Sequence, residues 1–246
     1  MQKNAPALDK KSQLISALQG RILALELAPG TTLEEAEIAA QSGLSRTPVR
    51  EVFQRLAGQG YLTLAPGQAP AVSSMDFARM RLFFQTAPMV YAATTRLAAE
   101  ARGAGRLDEL RAIQVSFRAT ARGADPSRSA ILNHRFHGLI GDMAANPYLS
   151  AALDRLLIDH TRLSQMFFAP ATAEDTALIA RAVEDHDAII EAIADGAAAQ
   201  AVDLTMAHWA LSRDRMERFV RPDPLTDPLT QAPLSAPTKT ATEGCL

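Results

Sequence analysis

The sequence is short of several things, and each shortage excludes a class of protein. Its 246 residues hold one cysteine, Cys245, which rules out an internal disulfide framework and a cysteine-based zinc cluster. No apolar run approaches the roughly 18–20 residues that a membrane helix needs, so no membrane partner is expected. The N-terminal stretch MQKNAPALDKKSQLISALQG has charges on both sides of a short mixed segment and does not read as a signal peptide. Neither sign of charge dominates. A formal charge of −2 and a pI near 6.2 speak against a protein that coats nucleic acid by bulk charge. With 13 Gly and 14 Pro the chain is not fibrous, and 48% apolar residues suffice for real cores. A soluble, cytoplasmic protein of one to two domains is expected.

The average charge conceals an arrangement. Residues 1–75 hold seven basic residues against six acidic, 76–221 seventeen against eighteen, and 222–246 one against three. The last segment also carries five of the fourteen prolines and is expected to be a disordered tail. All five histidines fall in the middle block. Two domains with different tasks are the natural division, at 1–75 and 76–221.

Periodicity fills in the first domain. A helix is predicted over Ser12–Leu27, ended by Pro29-Gly30, and a second over Glu34–Gln41 with Ile38 and Ala39 inward. Gly43-Leu44 supplies a tight turn, Ser45 an N-cap, and Pro48 lies in the first turn of a third helix buried through Val49, Val52, Phe53 and Leu56. Tyr61–Leu64, a turn at Ala65-Pro66-Gly67-Gln68, and Ala71-Val72-Ser73 read as a hairpin. Helix, helix, turn, helix, hairpin is the winged helix-turn-helix order. Beyond it, helices are predicted near 76–101, 106–122, 127–144, 148–168, 174–194 and 197–220, with Pro88 kinking or splitting the first. The short links between them indicate a bundle, so the chain is read as mainly α.

Ser45–Arg50 opens the third helix, and a recognition helix reads bases from its N-terminal end. Arg46 and Arg50, four residues apart, project from one face, and each offers a fork that fits guanine or phosphate. Thr47 can bond a phosphate or touch a thymine methyl, and Gly67 at the hairpin tip lets backbone approach the sugar-phosphate wall. A solvated helix face beside Glu51 is the plainer reading of the two arginines, but the surrounding order of elements favours contact with double-stranded DNA.

Three stretches carry a resemblance. They are Arg21-Ile22-Leu23 with Pro29–Glu34 and Ile38-Ala39, then Gly43–Glu51, then Arg55-Leu56 with Gly58–Leu62. Over about 12–73 the chain resembles the N-terminal domain of GntR-family transcriptional regulators. The resemblance implies Arg46, Thr47 and Arg50 at the DNA, helped by a wing at Gly67 and Gln68, and Ser45 at the helix start is a further DNA-binding candidate. Ala36 stands where some relatives place a further DNA-contacting Arg.

The histidines form the second pattern. His186 belongs to the stripe Ile179, Val183, His186, Ile190, Ile193, His208 shares a face with Leu204 and Leu211, and His137 shares one with Ile140 and Asn133. Three inward imidazoles from three helices can meet and bind a divalent metal, most often zinc, although each alone reads as a hydrogen-bonded core histidine. His160 lies on the inward stripe of Leu153, Leu156, Leu163 and Phe167, while Arg155, Asp159 and Arg162 read as a solvated ion-pair face. Met166-Phe167-Phe168 reads as core, and His134 has no assigned role.

Over about 76–220 the chain resembles the helical FCD effector domain of the FadR subfamily, through Asn133–His137, Glu184-Asp185-His186, Met206-Ala207-His208 and Ala145-Asn146-Pro147. The resemblance implies Asn133, His137, His186 and His208 as the metal site, with Asn133 where the family usually has Asp. Ala87 and Tyr91 stand where relatives often carry Arg and Glu. Tyr91 and His160 are the candidates to line an effector pocket, for which a carboxylate is the implied ligand. A homodimeric, ligand-responsive repressor that binds an inverted repeat follows. The alternative is a zinc-dependent hydrolase fused to a DNA-binding module, with Glu184 or Asp185 as base.

Overall fold

The computed structural model describes residues 9–121 and 125–220. The tail expected over 222–246, and Cys245 in it, lie outside the described residues.

Asp9 opens α1 (Lys10–Leu23) by accepting from the Ser12 amide at 2.8 Å. The helix stops short of the predicted end at Leu27, and Pro29-Gly30 is not what stops it. Leu25 takes a left-handed conformation with φ 60°, and the Leu27 amide bonds back to the Arg21 carbonyl at 3.2 Å. That reversal folds the Leu27 side chain into the core, which continued helix would not do. α2 (Glu35–Ser42) ends at Gly43, whose φ of 63° lets the chain turn sharply into α3 (Arg46–Gln59). Ser45 holds the N-cap position of α3 with extended backbone, yet its side chain makes no capping bond. One of the two amides that such a cap would seek belongs to Pro48 and carries no hydrogen.

Val49, Val52, Phe53 and Leu56 bury one face of α3 against Ile15, Leu18, Ile22 and Ile38. The hairpin follows as β1 (Leu62–Thr63) and β2 (Ala71–Val72), paired Leu62 to Val72 and Thr63 to Ala71. Residues 30–33 add a third edge that periodicity does not reveal: Gly30 donates to the Val72 carbonyl at 2.9 Å and Val72 to Thr31 at 2.8 Å.

The second region is a bundle. It comprises α4 (Phe77–Glu100), a 3-10 turn at Arg102–Gly105, α5 (Leu107–Ala121), α6 (Pro126–Met143), α7 (Pro147–Phe167), α8 (Ala173–Ala194) and α9 (Ala198–Val220). Polar side chains set the helix starts: Asp76, Asp125 and Asn146 each accept from amides of the first turn, and Thr172 with Asp175 forms a reciprocal capping box. Pro88 does not split α4, which continues to Glu100 while packed along α7 and α9. Loss of one helical bond is outweighed by that burial.

α7 is buried on two sides. Leu153, Leu157, Leu163 and Phe167 face the bundle core, while Ile158 packs into the core of the first domain. The expected solvated face of Arg155, Asp159 and Arg162 is therefore wrong at two of its three positions. Arg162 is 0% exposed and Asp159 is 5% exposed. The Arg162 guanidinium pairs with Asp159 and donates to Ser73 O at 2.8 Å, and Asp159 also accepts from Arg79 Nε at 2.9 Å. Ser73 ends the hairpin and leads into α4, so this ion cluster fastens the junction of the two regions. Arg155 is exposed but lies over Gly60, whose φ of 97° and lack of Cβ permit the close approach. Gln165 Nε2 donates to Leu23 O at 2.9 Å.

Removing one partner of a buried pair typically costs about 3–5 kcal/mol through the charge left behind, whereas removing both is far milder; Arg79 still holds Asp159 here, which puts Arg162 at the low end. Arg162→Met should therefore lower stability by about 3 kcal/mol in urea unfolding followed by circular dichroism. The double variant with Asp159→Leu should recover more than half of that loss; equal loss in both variants would refute the ionic account of the junction.

Candidate functional site

Ser45, Arg46, Thr47 and Arg50 are all exposed at the N-terminal end of α3, on the side away from its buried stripe. Arg50 is not simply solvated. Its Nε donates to both carboxylate oxygens of Glu35 on α2, at 2.9 and 2.7 Å. With the arginine 64% exposed, this surface pair holds the side chain in place at small energetic cost to an exchange of partner. Glu51, the acid adjoining Arg50, is taken up by Lys11 of α1. Among the described residues Arg46 makes no ion pair. Gly67 and Gln68 are exposed at the hairpin tip, where the Gln68 amide bonds to Ala65 O at 3.1 Å.

The second group lies inside the bundle. His137 of α6, His186 of α8 and His208 of α9 are 3%, 0% and 6% exposed, and one nitrogen from each lies within 4.8 Å of the others. Helical periodicity points all three inward, and the packing of α4, α5, α6, α8 and α9 brings them to one place. Burial holds the pKa values of His137 and His186 well below 6.5, with the neighbouring imidazoles adding to the effect. Phe136 stacks on His186 at 3.8 Å between centroids with planes 10° apart. Asn133, one turn before His137, is buried, and its Oδ1 has no hydrogen-bond partner, nor does His137 Nε2.

These unpartnered acceptors suit a cation. Buried polar atoms are nearly always satisfied, and lone pairs left facing the interior cost free energy that a bound metal recovers. His186 Nε2 and His208 Nε2 approach to 3.2 Å, and Asp185 Oδ2 lies 3.6 Å from His208 Nδ1. A carboxylate beyond the far nitrogen of an imidazole is a familiar outer partner of metal-ligating histidine.

Tyr91 of α4 and His160 of α7 extend the cluster. The Tyr91 hydroxyl bonds to His160 Nδ1, and the Tyr91 ring stands edge-on to His137 with centroids 5.0 Å apart. Burial raises the tyrosine pKa well above 10 and lowers that of His160 to about 3, so a neutral phenol is bonded to a neutral imidazole. Trp209 packs against both rings.

Other residues separate from the site. His134 is half-buried on the α6–α7 seam and bonds to Thr161 Oγ1 at 2.7 Å. Glu184 is exposed and lines a surface cavity of about 860 Å3 with Arg118, Ile179, Val183 and Asp187, away from the three imidazoles. Met166, Phe167 and Phe168 belong to the core or pack against it. Sequence reasoning misses two participants. Gln114 is buried on α5 and reaches His186, and Trp209 adjoins Tyr91. Gln114 interrupts the inward positions Leu110 and Phe117, and a polar residue on a buried stripe is the available signal.

Comparison with known proteins agrees with both halves. Residues 10–72 match the family model "Bacterial regulatory proteins, gntR family", and residues 89–211, half of the chain, match the FCD domain. The chain is 48% identical over 63 residues to an uncharacterized HTH-type transcriptional regulator in an unstable DNA locus of Streptomyces ambofaciens, covering 26% of this chain and 27% of that one. It is 33% identical over 76 residues to the HTH-type transcriptional repressor RspR of Escherichia coli K12, covering 31% and 33%. These matches thus span about a third or less of either relative. In fold, it superposes on E. coli McbR/YncC with a TM-score of 0.74 at 18% identity, over 87% of this chain and 100% of that one. A GntR regulator from Rhodococcus sp. RHA1 gives 0.69 at 14% identity, over the same shares. A GntR-type winged helix-turn-helix joined to an FCD bundle is the architecture on which sequence, fold and comparison converge: the chain belongs to the GntR family of bacterial transcriptional regulators and carries an FCD effector-binding domain.

Proposed function

We propose that this regulator acts as a cytoplasmic homodimeric repressor, that residues 1–75 bind an inverted-repeat operator, and that 76–221 dimerise and sense a small organic acid beside a divalent metal. The observation that carries the sensing half is the convergence of His137, His186 and His208 on one buried point, with Asn133 Oδ1 left unpartnered beside them. Zinc suits three imidazoles, and an uncharged amide oxygen in place of a carboxylate weakens the site without abolishing it. Tyr91 and His160 adjoin the histidines and supply polar groups for an effector carboxylate. The term repressor takes support from RspR, which carries that description.

A hydrolase reading has less support. Phe136 covers one face of His186, Glu184 faces a different cavity, and the imidazoles are nearly closed to solvent. The same burial favours a sensor whose ion stays resident.

For the reading head, Ser45, Arg46, Thr47 and Arg50 are proposed to contact DNA, with Gly67 and Gln68 at the wing. In a duplex enriched from a random pool by the wild-type protein, Arg46→Ala and Arg50→Ala should each weaken binding by about 1–3 kcal/mol, roughly 5- to 150-fold. Circular dichroism and dimer mass should not change. Wild-type affinity in both variants would remove α3 from the interface.

For the metal, protein dialysed against zinc should retain about one ion per chain, and His186→Ala should retain none at the same free concentration. Removing the ion with chelator should also expose an acid lability. Folded His137, His160 and His186 have pKa values below the unfolded 6.5, so their contribution to stability is present above about pH 6.5 and is lost as pH falls. The melting temperature of metal-free protein should drop between about pH 7 and pH 5, whereas a flat or rising profile contradicts neutral buried imidazoles.

A further inference from the structure

Gln114 occupies an inward position of α5 and is 2% exposed. Its side-chain nitrogen donates to the Val183 carbonyl at 2.8 Å and to Asp187 Oδ1 at 3.0 Å. A backbone carbonyl and a carboxylate can only accept, so the amide has one orientation: nitrogen toward these two, oxygen toward His186. Asp187 is itself held by Arg118, which fixes the far end of the arrangement.

The oxygen Oε1 lies 3.1 Å from His186 Nδ1. An amide oxygen cannot donate, so the hydrogen in this bond belongs to Nδ1. A neutral imidazole carries only one ring hydrogen, and His186 Nε2 is left with a bare lone pair. That is the nitrogen 3.2 Å from His208 Nε2. The stacked Phe136 sets the plane of the His186 ring but is indifferent to a half-turn about the Cβ–Cγ bond, which would point carbon rather than nitrogen at the cluster. Gln114 and His208 both tell the two settings apart, and Gln114 does so from Nδ1, the side of the ring that a ligand nitrogen leaves free.

We propose that Gln114 is the positioning residue of the metal centre. It selects the tautomer and the rotamer of His186 that present Nε2 as a ligand, and Asp187 with Arg118 keeps Gln114 itself from turning. The inference rests on the metal reading above. Outer partners of this kind typically change metal affinity roughly 10- to 100-fold when removed.

Two variants of the full-length protein test it. Gln114→Met keeps the length of the side chain and removes the acceptor, whereas Gln114→Glu, made together with Asp187→Asn so that its second oxygen meets an amide donor and not a carboxylate, keeps an acceptor for Nδ1–H. Zinc affinity, measured by competition with a chromogenic chelator, should fall at least about tenfold in Gln114→Met and stay within about fivefold of wild type in the double variant. Imidazole nitrogen shifts of metal-free protein labelled at histidine supply a readout that mere packing would not move. Wild type and the double variant should show His186 protonated at Nδ1, and Gln114→Met should show a mixed population. If Gln114→Met does not fold, the affinity and tautomer of the double variant decide, and a loss of about tenfold or an Nε2–H tautomer there overturns the proposal. Wild-type zinc affinity in a folded Gln114→Met also overturns it. A wild-type protein that takes up no zinc defeats the metal reading beneath it, a result distinct from both.

Discussion

A guanidinium with no exposure to water must find its partners within the protein, and the two terminal nitrogens of Arg162 find theirs at the junction of the molecule. Burial lowers its pKa, the nearby Arg79 charge adds to that, and Asp159 opposes both by pairing with it. The bond to Ser73 O then ties the last residue of the wing to the middle of α7. Around this point the other contacts of the reading head on α7 become intelligible. Ile158 enters the head's core, Gln165 bonds to the end of α1, and Arg155 lies over the glycine that ends α3. Buried ion clusters are weak sources of net stability but strong penalties against alternatives, because any other placement of the head strands a charge. The cluster thus specifies one arrangement of two domains that each have a core of their own.

The histidine cluster obeys the same logic with neutral groups. Burial holds the pKa values of His137, His160 and His186 below the ordinary range, so these three imidazoles remain neutral and must each direct one hydrogen and one lone pair. Tyr91 satisfies His160 and Gln114 satisfies one nitrogen of His186. Asn133 Oδ1 and His137 Nε2 are left over, next to a pair of Nε2 atoms in contact. The remaining demand is for positive charge, and it is concentrated where three helices meet.

Much of this architecture is legible in the amino-acid order alone, though unevenly so. Clear 3.6-residue periodicity places the helices to within a few residues, and the same periodicity aims His137, His186 and His208 at one interior. Local pattern fails where a distant partner decides the outcome. Arg162 lies off the apolar stripe of α7 and reads as surface on an isolated helix; it is buried because a second domain covers that side. Periodicity assigns Leu25 to α1, but the chain reverses there to deliver Leu27 to the core. Ser45 has the chemistry of a cap, and the proline three residues on removes a donor. Arg50 reads as free because Glu35 lies on another helix, and Gln114 escapes notice because a lone glutamine carries no motif.

The positions of these residues on α7 bear on how the two halves can communicate. His160 faces Tyr91 and the histidine cluster, while Asp159 and Arg162, within two residues of it, face the linker. Successive residues on a helix are about 100° apart, so the two contact sets lie on different sides of one rigid rod. A rod cannot rotate or slide at one set without displacing the other. A ligand beside His160 that favoured a shifted α7 would have to break or re-form the Arg162 contacts, and its affinity would then depend on the placement of the reading head. By reciprocity, DNA that selects one head placement would change the affinity for that ligand by the same factor. Coupling of this kind would need no path of intermediate residues, because one helix carries both contact sets.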